Sequence, residues 1–329
     1  MKKRFFSIVI VLISALLVLI LNFGCSLFNK SSDPNLSKAI QEELKKTTGE
    51  VSIEDINSMS KLIADDRGIK NLSNLENAIN LQSLSLNNNQ ITDVSPLANL
   101  VNLKNLSLNK NQIKDIKTLA NLIKLDFLSL NDNQITDISP LENLKNIQGI
   151  SLGNNKVKDI SLLSKLTKLK VFVFNNNQIS DISALSNLID LQQLSINYNN
   201  ITDITPLSDL INLSIIVLGN NPVADISILE KLFNLEFVGL NECKISDLLP
   251  LAKLAKLKQL NLNKNDITDI SALAEIKSLE MLSLENNKIT DISPLKDLSN
   301  LKNLFIRGNP IADTKQIDDL ISAGVEVDF

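Results

Sequence analysis

From Leu81 the chain restarts every 22 residues, at Leu103, Leu125, Ile147, Leu169, Leu191, Leu213, Leu235, Leu257, Leu279 and Leu301. A degenerate copy precedes these at Met59, so twelve copies cover 59–322 without insertion or deletion. The unit reads L-x-x-L-x-L-x-x-N-x-I-x-D-I-x-P-L-x-x-L-x-N. Positions 4 and 6 are apolar around a polar residue, the period-two signature of a short half-buried strand. Apolar residues at positions 14, 17 and 20 predict a 3-10 or single helical turn on the opposite side of the coil. One such coil cannot bury its apolar face alone, and stacking supplies both the core and the strand-to-strand hydrogen bonds. The fold class is therefore an α/β repeat solenoid. It is a curved array with a parallel β-sheet on the concave face, short 3-10 or helical segments on the convex face and a helical N-terminal cap.

Two polar positions belong to that scaffold. Position 9 is asparagine from Asn89 to Asn309 except at Cys243, and an inward amide both donates and accepts where a tight bend leaves backbone groups unpaired. Cys243 reads as a small apolar filler, and its lack of a second cysteine beyond Cys25 argues against an intrachain disulfide. Position 13 is aspartate from Asp93 to Asp313, with Asn71 in the first copy. A carboxylate ahead of I-S-P caps the N–H groups that open the turn. A calcium ladder is the alternative, but calcium takes six to eight oxygens and each coil offers one carboxylate.

The unit resembles the 22-residue leucine-rich repeat of bacterial internalin-type proteins, over essentially everything after residue 35. The segment "LSKAIQEELKKTTGEVSIEDINSMSKL" from residue 36 resembles the helical cap of internalin-type arrays. It also reads as an amphipathic helix followed by a Ser52–Asp55 capping box. The resulting organisation is an export signal over 1–25, a flexible tether over 26–35 and a cap over 36–58. The repeats over 59–322 and a last strand or edge cover over 323–329 follow.

The start, "MKKRFFSIVIVLISALLVLILNFGCS", puts Lys2, Lys3 and Arg4 before an apolar run from Phe5 to Leu21. A basic start before an apolar segment is an export signal. Cys25, after Gly24 and before "SLFNKSSDPN", resembles the lipidated cysteine of bacterial lipoproteins, although Asn22 and Phe23 depart from the usual residues. An uncleaved anchor and an ordinary secretory signal are the alternatives. The expected location is the bacterial cell envelope, with the chain exported and held to a membrane by a lipid. No sorting signal or wall-attachment module is recognised after the repeats, unlike the wall-bound internalins.

The chain carries no histidine and a net charge of −4. The first removes histidine-based acid–base catalysis, nucleophile–histidine pairs and nearly all zinc sites. The second argues against nucleic acid, which needs a basic face. No Gly-rich phosphate loop occurs, and the carboxylates follow the repeat register rather than a cleft. The expectation is a non-enzyme with no cofactor or metal, acting as a monomer.

Solenoids bind through the sheet, where positions 3, 5 and 7 face outward and position 8 lies at the strand's edge. Most of these positions carry serine or asparagine. The apolar exceptions are Phe127, Val171, Ile215, Phe237 and Met281 at position 3, Val173, Val217 and Phe305 at position 5, and Tyr198 at position 8. Five of them (Val171, Val173, Ile215, Val217, Phe237) fall within about 15 Å of each other. Exposed contiguous apolar surface with aromatic anchors marks an interface, whereas strand propensity alone is the bland explanation. The expected function is capture of a macromolecule, most simply a protein, in an adhesin or recognition role. A periplasmic scaffold is the alternative, and an intracellular regulator resembling the phosphatase-regulator repeat family is a more distant one.

Overall fold

In "LQSLSL" and its copies the alternation places Leu84 and Leu86 inward, and both are fully buried. Each 22-residue copy, hereafter a coil numbered from Met59, contributes one three-residue strand at its third to fifth positions. The computed structural model describes residues 33–47 and 51–329. Thirteen strands form one parallel sheet in chain order. It runs from β1 (Lys61–Ile63) to β12 (Asn303–Phe305), with β13 (Glu326–Asp328) added from the segment expected as an edge cover. Equivalent residues pair across every step, as in Val171↔Gln193 and Gln193↔Ile215. The coil then passes a tight turn, a 3-10 segment such as Ser95–Asn99, and a second turn back to the next strand. One continuous apolar core fills the coils.

The position 9 asparagines form the expected ladder. Asn133 Nδ2 donates to the carbonyls of Leu108 and Leu130, each at 3.0 Å, and its Oδ1 accepts from Ile113 N–H at 3.0 Å. The turn needs this because position 8 is left-handed in every full coil, with φ between 52° and 57° from Asn88 to Asn286. Asparagine tolerates that region better than most residues, which accounts for the recurrence of asparagine at position 8. The position 13 aspartates cap as expected: Asp159 Oδ1 accepts from Ser161 N–H at 2.8 Å, and the other ten do the same.

The first end is closed by α1 (Pro34–Glu43) and α2 (Ile53–Ser58), the latter opened by the Ser52–Asp55 capping box. Helix α1 starts inside the segment expected as tether, because Asp33 caps it. One Asp33 oxygen accepts from Asn35 and Leu36 N–H, the other from Lys70 and Asn71 N–H. Burial pushes this carboxyl up, but the four backbone donors outweigh it and leave its pKa lowered. Coil twelve departs from the unit in its second half, which is the helix α3 (Lys315–Ser322) rather than a 3-10 turn. Gln316 on α3 accepts from Ile292 N–H, tying the helix to the coil before it.

Candidate functional site: the concave sheet

The serines at position 5 and asparagines at position 7 are not free polar groups. Ser107 Oγ donates to Asn87 Oδ1 at 2.7 Å, and Asn109 N–H donates to the same oxygen at 2.8 Å. Asn109 Nδ2 donates back to Ser107 Oγ at 3.1 Å. The pattern repeats through Ser129 and Ser151, so this second ladder consumes most of its own hydrogen-bonding capacity. Positions 3, 5 and 7 carry no charged residue from Ser83 to Ser283. From Ser83 to Ser283 the face is therefore neutral and largely self-satisfied.

The ladder is interrupted at the apolar residues. Gly153 offers no acceptor to coil six, where β6 (Val171–Val173) has Val173 in place of serine. Asn197 faces Val217 of β8 (Ile215–Val217) and Gly219, and its buried Oδ1 has no hydrogen-bond partner. Leaving a buried acceptor unmatched costs about 1–3 kcal/mol, so Val217 sits where the fold alone favours serine. Strand propensity does not explain this placement, since the same sheet uses serine at six of the equivalent positions.

Ile215 and Phe237 are direct partners between β8 and β9 (Phe237–Gly239), and Gln193 separates Ile215 from Val171. The three steps from Val171 to Phe237 span about 14 Å. Val171, Val173, Ile215, Val217 and Phe237 are half-buried side chains on this face. Phe127 is 49% exposed and leans over Gly149, where a Cβ would lie 2.7 Å from the ring. Phe127, Gly149 and Val171 share a depression of about 270 Å³. Phe237, Met281 and Phe305 line a second one of about 300 Å³. Tyr198 stands apart at the rim, in the left-handed turn after the seventh strand, and is 54% exposed. The single patch expected from sequence is thus two depressions joined by an aliphatic ridge. Cys25 lies outside the described residues.

Phe172 and Phe174 of the same stretch point the other way, fully buried, with their rings stacked at a centroid separation of 4.1 Å. Cys243 is buried too, and burial pushes its thiol up to about 11. It is a filler, as expected, but with a consequence. Val223 N–H finds no asparagine oxygen opposite it and turns to Asn221 C=O instead.

Comparison with known proteins bears on this surface. The family model described as leucine-rich repeats (two copies) matches residues 79–121, 123–161, 145–187, 189–231 and 277–322. An internalin (inlF) of Listeria monocytogenes str. 4b F2365 is 34% identical, with 92% of this chain and 99% of that chain covered at a TM-score of 0.85. The chain is an internalin-type leucine-rich-repeat protein. An internalin C2 (inlC2) of the same strain is 35% identical over 63% of this chain and 93% of its own, at a TM-score of 0.61. The plant peptide hormone receptor RGFR1, solved in complex with RGF2, shares the fold at 20% identity and a TM-score of 0.69, over 82% of this chain and 47% of its own. No curated protein matches the chain at a significant level. The stretch 232–276, which holds the Cys243 coil, is the part of the array between the matched segments.

Proposed function

We propose that this internalin-type protein is a non-catalytic binding protein that captures a protein partner on its concave sheet, with adhesion or recognition as its role. The observation that carries the reading is the unpartnered Asn197 Oδ1 beneath Val217: the sheet gives up a hydrogen bond to present an aliphatic ridge between two aromatic-lined depressions. Repeat proteins of this architecture use the concave sheet for binding, and the structurally similar plant receptor was solved with a peptide hormone. The absence of charge from Ser83 to Ser283 on this face makes the contact at the first depression and the ridge one of shape and apolar burial, with little dependence on salt, whereas Glu285 lines the second depression. Export and lipid anchorage through Cys25 at a bacterial envelope belong to the same proposal, supported by the basic and apolar start of the chain.

The test immobilises the protein and challenges it with envelope and host-surface protein extracts. Val171→Glu/Val217→Glu is compared with Lys253→Glu on the far side of the coils. A partner kept by the unsubstituted protein and by Lys253→Glu, but lost by the double variant at unchanged melting temperature, supports the reading. Equal retention by all three sinks it. Mass spectrometry of the N-terminal peptide decides the Cys25 modification separately.

A further inference from the structure

The turn that returns each coil to its strand leaves position 21 on the flank of the solenoid, away from both the sheet and the aspartate turns. Seven of these positions are large, apolar and 43–57% exposed: Ile79, Val101, Ile123, Ile189, Ile211, Phe233 and, on helix α3, Ile321. The fold does not ask for them, because the same position holds Lys145, Thr167, Ala255, Lys277 and Ser299 in other coils. What position 22 supplies is structural: Asn102 Nδ2 donates to Ile79 C=O and Asn234 Nδ2 to Ile211 C=O, fixing the turns in a regular row.

The order along the row is informative. Coils one to three are apolar, coils four and five carry Lys145 and Thr167, and coils six to eight are apolar again. This three–two–three sequence reads the same from either end. A two-fold interface requires a self-complementary patch, and a palindromic row provides one. With the axis between coils four and five, Ile79 meets Phe233, Val101 meets Ile211 and Ile123 meets Ile189 of the other copy. Lys145 meets Thr167 rather than another lysine.

Charge agrees with this register away from the axis. At position 22 the exposed Lys124 of coil three falls opposite the exposed Asp190 of coil six. Near the axis Glu142 and Lys165, which pair at 3.0 Å within one chain, meet their exchanged counterparts, while the exposed Lys145 and Lys168 of each copy leave an excess of positive charge there. The arc of coils one to eight maps onto itself under the same rotation, so the two flanks can stay in contact along about 34 Å of row. Six half-exposed side chains per copy amount to roughly 1,000 Å² over two copies, near the lower limit for a specific interface.

We propose that two copies of this chain pair flank to flank through the position 21 row, two-fold about coils four and five, with both concave faces opening in the same direction. This replaces the monomer expected from the sequence and does not depend on the concave-face proposal.

The test is register-specific crosslinking of the full chain in membranes with a short bifunctional maleimide. The double variant Ile123→Cys/Ile189→Cys brings each introduced thiol opposite its counterpart on the second copy. The expected result is a dimer band well above that of the unsubstituted chain, whose Cys25 and Cys243 set the baseline. In Ile79→Cys/Val101→Cys the thiols of the two copies lie five to seven coils apart, and no dimer gain is expected. Adding Ile211→Lys to the first variant should abolish its band without moving the melting temperature, since lysine already occupies this position in two coils. No gain with Ile123→Cys/Ile189→Cys, or an equal gain with the control pair, overturns the proposal.

Discussion

Coils two to five and coils eight and nine are written in the same 22-residue unit but are held together differently. Between coils four and five, Asn155 Oδ1 accepts from Ile135 N–H, Lys156 N–H donates to Ile135 C=O, and Ser151 Oγ donates to Asn131. Between coils eight and nine none of the three equivalents forms: Cys243 has no amide, Gly219 has no side chain to accept, and Gly239 has no hydroxyl. Lys244 adopts an additional positive φ of 64° where the regular turn breaks. One coil earlier, Pro222 has no N–H to give to Ile201 C=O, and Asn197 Oδ1 lies unmatched. The core and the strand pairing are unchanged across this seam. Apolar stacking and backbone pairing therefore keep the coils in register, while the side-chain ladders stiffen it. The seam also lies where the aliphatic ridge meets Phe237.

The comparison can be broken most severely inside the intact region. Asn133→Ala strands Ile113 N–H in the core and leaves the Leu108 and Leu130 carbonyls with one amide donor each, from Asn111 and Asn155. At about 1–3 kcal/mol for a buried group left unmatched, the loss should appear as a clear drop in urea midpoint. Cys243→Ala in the broken region should cost much less, since the thiol makes only weak contacts at 3.5 and 3.6 Å. Equal losses at the two positions would show that the ladder is not what distinguishes the regions.

Repair is the next largest effect. Cys243→Asn restores an acceptor for Val223 N–H and should raise stability by about 1 kcal/mol. Val217→Ser returns a donor to Asn197 Oδ1 and should stabilise by about 0.5–1.5 kcal/mol. The same change removes the ridge, so partner capture should weaken while the melting temperature rises. A rise without loss of capture would leave the unmatched oxygen without a functional explanation.

Smaller effects sharpen the comparison further. Hydrogen exchange at Val223 and Lys244 amides should be faster than at Val157 and Lys156, whose donors are paired across coils. Acid should act through the caps whose carboxyls are held low. The pKa values of Asp159, Asp181, Asp225 and Asp269 are lowered, first by the backbone N–H two residues on and then by that residue's hydroxyl. Asp55 is held at about 2 by the Lys46 ammonium and by Ser52. Groups with depressed folded values contribute fully above their unfolded value near 4 and lose the contribution as pH falls through the folded value. The denaturant midpoint should therefore be flat above about pH 5 and decline below pH 4. A decline beginning at neutral pH would point to another group.

Inward positions were legible because burial repeats in phase: Leu84, Phe172 and Asn133 each announce their role by spacing. Outward positions were legible only as departures from serine and asparagine, which is how Val171 and Val217 stood out. The position 5–7 ladder escaped notice because its partners lie 20–22 residues apart and meet only after stacking. The position 21 row escaped for the same reason, since an isoleucine beside the buried Leu81 or Leu191 looks like one more core residue. Helix α3 also went unseen, because Lys315–Ser322 fits the 3-10 spacing as well as the α-helical one.

By itself, the sequence determined the coil, its twelvefold stacking, the inward asparagines and the aspartate caps, since each depends on residues within one unit or on strict periodicity. Only the tertiary structure decided which polar atoms find partners across coils, where the ladders fail, and that Val173 and Val217 sit at those failures. Those facts depend on pairs of neighbouring units in three dimensions, and a repeat consensus averages such pairs away.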